Sequence, residues 1–177
     1  NQGLTPLSLI ESEEEMKLHL WIYTIVSPRF DFKMSLGPNR RSYFHYFARD
    51  QTLGLLNHFI AHNFQDINRV DDSGTSALML AAENGQIMAL RTLLQKGADF
   101  SLLDVLNRSV LYRAAASGQA YIVKTLLDNS FTSEHLTEEF TAEENEIIMH
   151  NLLLIKEKES GFTPLHIAVI NNHLEVV

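Results

Sequence analysis

The chain has 177 residues, 45% hydrophobic and 20% charged, with eight glycines and four prolines, a composition that excludes a disordered tail and fits one compact domain or one short repeat array. It contains no cysteine, which removes disulfide frameworks, thiolate metal sites and cysteine nucleophiles. The net charge of −8 is concentrated at two places: residues 1–20 hold four acids against one lysine and residues 130–160 hold eight against two, while the remainder carries eleven bases and ten acids.

From the N-terminus, Gly3-Leu-Thr5-Pro6-Leu7 has the form of a helix start, with a capping hydroxyl and proline at the first helical position. Ser12-x-x-Glu15 follows as a capping box, and residues 21–26 read either as a helix or as a β-branched strand ending at Pro28. Ser42 then caps a helix over Tyr43-Phe44-His45-Tyr46-Phe47-Ala48, and Leu53, Leu56, Phe59 and Ile60 mark one face of a second. Asp71-Asp72-Ser73-Gly74 is a turn. Beyond it lies a short helix containing Ala81-Ala82, stopped at Gly85, and then a helix with Ile87, Leu90, Leu93 and Leu94 on one side. Residues 107–129 run through the same sequence of features, with Ala114-Ala115, Gly118, and Ile122, Val123, Leu126 and Leu127.

The similarity is a true internal repeat. A shift of 33 places Ser76 on Ser109, Leu78 on Leu111, Gly85 on Gly118 and Leu93-Leu94 on Leu126-Leu127. The small alanines allow close helix approach, and the glycines stand where a first helix must stop in a left-handed conformation. Between Asn107 and Gly161 the spacing is 54 rather than 33, so 21 residues are inserted. Within them Thr141-Ala-Glu-Glu144 is a capping box for a helix running to about Lys158, with Ile148, Leu152 and Ile155 as its apolar stripe, widened by Ile147 and Leu154. Such a stripe is expected to lie on the array's own outer helices.

Gly161-Phe-Thr163-Pro164-Leu165-His166-Ile-Ala168 and Gly97-Ala98-Asp99 carry a family resemblance: the chain is similar to ankyrin repeat arrays. The resemblance implies an all-α solenoid of helix-turn-helix units with a helical insertion in one repeat. Its units would be residues 1–37 (a degenerate repeat or a separate insertion), 38–71 (degenerate), 72–104, 105–160 with the insertion at about 130–158, and 161–177 as the start of a further repeat. His166, and His45 with it, would be structural residues tying adjacent turns. A repeat cut at Val177 would leave an apolar face uncovered, so the array is expected to be part of a longer one.

Sites of chemistry are missing. His58 and His62 have the i, i+4 spacing of metal ligands, but the glutamate of H-E-x-x-H is replaced by Phe59 and no third ligand can be assigned. There is no nucleophile elbow, phosphate loop or dinucleotide fingerprint, and the paired glutamates diverge on a helix. No cofactor, metal or catalysis is therefore expected. Arg40-Arg41 is the one basic pair, too little for nucleic acid. No apolar run reaches the roughly 20 residues of a membrane span, and the N-terminus lacks a secretory pattern.

Binding is what remains. By the resemblance, protein partners meet the turn tips and the exposed positions of the inner helices on the concave face, which nominates Asp71, Asp72, Asp104 and Val105 at tips, with Met79, Glu83, Tyr112, Arg113 and Ser117 on inner helices. Tyr112 and Arg113 are of the residue types enriched at interface hot spots, while packing between repeats for Tyr112 and solvation for Arg113 are the plainer alternatives. A cytoplasmic scaffold or adaptor is the leading expectation. The alternative is a cytoplasmic arm on the cytosolic face of a membrane, resembling the ankyrin domains of transient receptor potential cation channels, which carry irregular repeats with insertions.

Overall fold

The computed structural model describes residues 39–49, 53–63, 67–128 and 142–177. The N-terminal segment 1–37, the positions Gln51 and Thr52, and the side chains of His58 and His62 lie outside the described set. Eight helices are found among the described residues: α1 Tyr43–Arg49, α2 Leu53–Asn63, α3 Ala77–Glu83, α4 Ile87–Gln95, α5 Val110–Ala116, α6 Ala120–Leu127, α7 Ala142–Leu154 and α8 Pro164–Ile170. There is no strand among them beyond an isolated antiparallel bridge between Val70 and Ser76.

The first helices α3, α5 and α8 are each started by a hydroxyl. Ser76 accepts the Met79 amide at 3.3 Å, Ser109 accepts that of Tyr112 at 3.1 Å, and Thr163 does the same for His166 ahead of Pro164. Each of these helices stops in the same way. The amide two residues past the cap reaches back to close a six-residue ring, Gln86 to Ala81 at 2.8 Å, Gln119 to Ala114 at 2.9 Å and His173 to Ala168 at 2.8 Å. The residue between is left-handed in all three, with φ of 69° at Gly85 and Gly118 and 59° at Asn172.

Stacking follows from the small residues. Ala81, Ala82, Ala114, Ala115 and Ala168 are all buried, and α1, α3, α5 and α8 pack side by side in that order. Leu78 and Leu111 fill the spaces between them, and removing each from water contributes about 2 kcal/mol. The N-terminal described unit uses aromatic volume instead: Phe59 of α2 lies 5.1–5.4 Å, centroid to centroid, from the rings of Tyr43, Phe44 and Phe47. The second helices are looser. Leu90, Leu93 and Leu94 of α4 and Ile122, Val123 and Leu126 of α6 face the core, but α4 and α6 hardly approach each other. The first helices thus pack closely along the stack while the second helices stand further apart.

The structure departs from the sequence expectation at α6 and at the insertion helix. Leu127 is exposed, because α6 reaches its last residue there and the apolar face has rotated away. The insertion helix ends at Leu154, not near Lys158, because Ile155 onward enters the next turn. Its inward side is Met149 and Leu152, with Ile148, Leu153 and Ile155 partly covered, whereas Ile147 and Leu154 point to solvent. Its main neighbours are α5 and α8, first helices, in place of the outer ones. In the last unit, residues beyond His173 form a single turn.

Candidate functional site

The tips and first helices form one surface, and its lower layer is a set of locked loops. At each tip an acidic side chain turns back on its own loop. Asp71 Oδ1 accepts the amides of Ser73 and Thr75, both at 2.9 Å, and the Ser73 hydroxyl. Asp104 Oδ1 accepts those of Leu106 and Arg108, again at 2.9 Å. Glu157 takes this role at the third tip, its longer side chain spanning a loop with one more residue to reach the amides of Glu159 and Ser160 and the Ser160 hydroxyl. The backbone amide of each acid closes the loop as well, onto Thr75, Arg108 and Phe162 respectively.

Successive tips are tied by one main-chain bond each. Asp72 donates to the Asn39 carbonyl at 3.1 Å, Val105 to Ser73 at 3.0 Å and Lys158 to Leu106 at 3.0 Å. A second row of ties runs along the helix ends. Gln119 reaches the Glu83 carbonyl at 3.4 Å, while His173 Nε2 and Asn171 Nδ2 donate to the Ala116 carbonyl at 3.1 and 2.8 Å.

Electrostatics fix the acids in their charged form. Burial pushes the Asp71 carboxyl up, but hydrogen bonds from Ser73, Thr75 and Arg41 outweigh it and hold the group below its ordinary 3.8. Asp104 follows the same balance, with Arg108 and Arg113 supplying the opposing bonds and charge. Glu157 is held low chiefly by the Ser160 side chain. His45 is shifted the other way relative to charge: burial lowers it below 6.5, against the bond to Thr75 and the nearby Asp71 carboxylate.

The histidine position of each first helix connects two repeats. His45 Nδ1 accepts from Ser42 at 2.7 Å, so Nε2 carries the proton and donates to the Thr75 carbonyl of the next unit at 2.7 Å. His166 Nδ1 lies 2.7 Å from Thr163 Oγ1 in the same way. Met79 fills the position with volume alone and is buried. Tyr112 is also buried, and that burial raises its hydroxyl pKa above 10.0.

Several sequence-nominated residues are therefore not open to a partner. Asp71 and Asp104 have side chains with 0% exposure, spent on their own loops and on Arg41, Arg108 and Arg113. Met79 and Tyr112 are packed between repeats. Arg113 is not solvated: with 10% of its side chain exposed, it donates to Glu83 Oε2 at 2.7 Å, Thr75 Oγ1 at 2.8 Å and Asp104 Oδ2 at 2.7 Å. The structure leaves Asp72, Val105 and Ser117 exposed and Glu83 half-exposed. Val70 and Leu103, which sequence reasoning passed over, are exposed beside them at corresponding points of successive tips; the signal was available in the 33-residue shift.

Among the described residues no three metal-ligating side chains cluster, and no helix is long and apolar enough to cross a membrane. The sequence model of ankyrin repeats matches residues 44–139 as three copies, and residues 160–177 match a single ankyrin repeat. These stretches cover more than half of the chain, and the protein belongs to the ankyrin-repeat family. The human NAD-capped RNA hydrolase NUDT12 is 30% identical over 94 residues, a stretch that is 53% of this chain and 20% of that protein. The chain thus spans about a fifth of the length of that relative. Ankyrin repeats are generally protein–protein interaction modules and typically carry no catalysis of their own.

Proposed function

We propose that the chain is a non-catalytic scaffold or adaptor module that holds a cytoplasmic protein partner on its tips and first helices through Asp72, Val105, Glu83 and Ser117. The observation that carries this reading is the contrast between layers. Asp71, Asp104, Glu157, His45 and Arg113 use their polar groups on the array itself, which fixes the backbone, while the neighbouring side chains stay in water. A surface ordered before binding loses less conformational entropy on association.

The unit boundaries 38–71, 72–104, 105–160 and 161–177 belong to the same proposal, as does a longer array. Leu165, Val169 and Ile170 of α8 are more than half exposed, although the corresponding Leu111 and Ala115 of α5 are buried by the following unit. A further repeat on that face restores the pattern. The match to one fifth of a longer hydrolase supports a module joined to other domains, in which the array would target its parent. The cytosolic arm of a transient receptor potential-type channel is the second reading, favoured by the insertion between α6 and α8.

The test is site-specific photo-crosslinking on the parent protein in cells. A crosslinker at Ser117 or Glu83 should recover a protein partner, and Val105→Asp should abolish recovery. Equal recovery from positions on every face, unaffected by Val105→Asp, would refute the proposed surface. Copurification with a membrane-spanning region of the same polypeptide would select the channel reading.

A further inference from the structure

The second helices hold a feature that the proposed surface does not use. Met88 of α4 is 58% exposed and Tyr121 of α6 is 61% exposed. They are equivalent under the 33-residue shift, so they sit at corresponding points of neighbouring outer helices. The backbones of α4 and α6 hardly approach each other, so the furrow between them is spanned by side chains. Arg91 bridges it, its Nη2 placed 3.5 Å from the Tyr121 hydroxyl, at the limit of a hydrogen bond.

Arg91 is short of acceptors. Its Nε is buried without a hydrogen-bond partner, and no ion pair to Arg91 or to its repeat equivalent Lys124 is found among the described residues. The charge around it is unusual for this protein. In a chain of net charge −8, the sequences of α4 and α6 contain one arginine, one lysine and no acid. Tyrosine, arginine and methionine are also the residue types enriched in interfaces.

We infer that the furrow between α4 and α6 is a second docking surface, for an acidic segment of a partner protein that sets a carboxylate on Arg91 and an apolar side chain between Met88 and Tyr121. The carboxylate accepts from the Nη groups of the Arg91 guanidinium, with Lys124 one repeat along as the next positive charge. None of these residues belongs to the proposed surface on the tips and first helices.

The experiment titrates the chain, labelled for NMR, with a synthetic peptide of alternating glutamate and leucine and with its lysine–leucine counterpart. The acidic peptide should shift the Tyr121 ring, the Met88 methyl and the Arg91 Nε–H signals, saturably and more weakly as salt is raised. Arg91→Gln and Tyr121→Ala should each weaken binding about tenfold or more, the loss expected of a hot-spot residue. Arg91→Lys keeps the charge without the fork and should recover only part of the affinity. Equal response to both peptides, or shifts confined to Asp72, Glu83 and Ser117, would overturn the inference. So would a dimer seen by sedimentation without peptide and abolished by Arg91→Gln, which would make the occupant a second copy of this chain. The crosslinking experiment at Ser117 and Glu83 reads the other face, so failure of either leaves the other standing.

Discussion

Replacing Arg113 tests whether one side chain couples two repeats. Its guanidinium makes three contacts of different kinds: a buried carboxylate at Asp104, a half-exposed one at Glu83 and a neutral hydroxyl at Thr75. A hydrogen bond to a buried charged group contributes about 1.5–3 kcal/mol, but Asp104 keeps Arg108 Nε at 2.7 Å and two amides, so its loss should fall short of the roughly 3–5 kcal/mol of a stranded charge. The Glu83 arm, with 39% of its side chain exposed, is screened and contributes under about 1 kcal/mol. Arg113→Met, which retains the packing of the stem, should therefore cost about 3 kcal/mol in all and lower the Tm by roughly 6–12 °C for a chain of this size. Double-mutant cycles by urea denaturation apportion it. The coupling of Arg113 to Asp104, read with Asp104→Asn, should be about 2 kcal/mol and exceed that to Glu83, read with Glu83→Gln. A Glu83 coupling equal to or larger than the Asp104 coupling would show that the buried arm does not govern the joint.

Three further outcomes follow from named geometry. Gly118 and Gly161 are both left-handed, but an added Cβ at Gly118 would stand 2.6 Å from His173 Nδ1 and at Gly161 would meet nothing within 4 Å; Gly118→Ala should cost about 2–3 kcal/mol and Gly161→Ala about 1, measured by thermal unfolding. His45 has a folded pKa below its ordinary 6.5, so the unfolded chain binds the extra proton first: its contribution is complete above pH 6.5 and is lost as pH falls toward the lowered value. His45→Gln should flatten the dependence of unfolding free energy on pH between about 7 and 5, and an unchanged slope would assign it to other groups. Thr163→Ala removes the cap of α8 and should cost about 1 kcal/mol, while Thr163→Ser, read by the same denaturation curves, restores most of it.

The repeat was legible because its signals are local. A hydroxyl that caps, a glycine that ends, and leucines spaced on one face need only their near neighbours, and α3 to α6 and α8 stand where those signals put them. The surface was harder to read because exposure depends on the adjacent unit. Asp71 and Asp104 look like tip residues in sequence, yet Ser73, Thr75 and Arg108 within the next four positions supply the donors that turn them inward; the pattern of an acid followed at two and four residues by loop amides was the available signal. Arg113 could not be placed at all, since its partners Thr75 and Glu83 lie 38 and 30 residues away. The insertion helix carries apolar residues on both sides, so Ile147 and Leu154 competed with Met149 and Leu152, and only packing on α5 and α8 decides between them.

The insertion itself leaves the geometry of the stack untouched. Lys158 bonds Leu106 at 3.0 Å, the distance at which Val105 bonds Ser73, although 20 of the 21 additional residues precede it and the last lies in the tip loop that follows. Chain length enters loop closure only logarithmically, about 0.6 kcal/mol for each doubling, so the added segment weighs little against the contacts on either side. The connection after Asp128 is thus a permissive port in the polypeptide. A segment of other length and sequence exchanged there must return the chain to Ile155 and supply apolar side chains for the surface of α5 and α8 that Met149 and Leu152 cover.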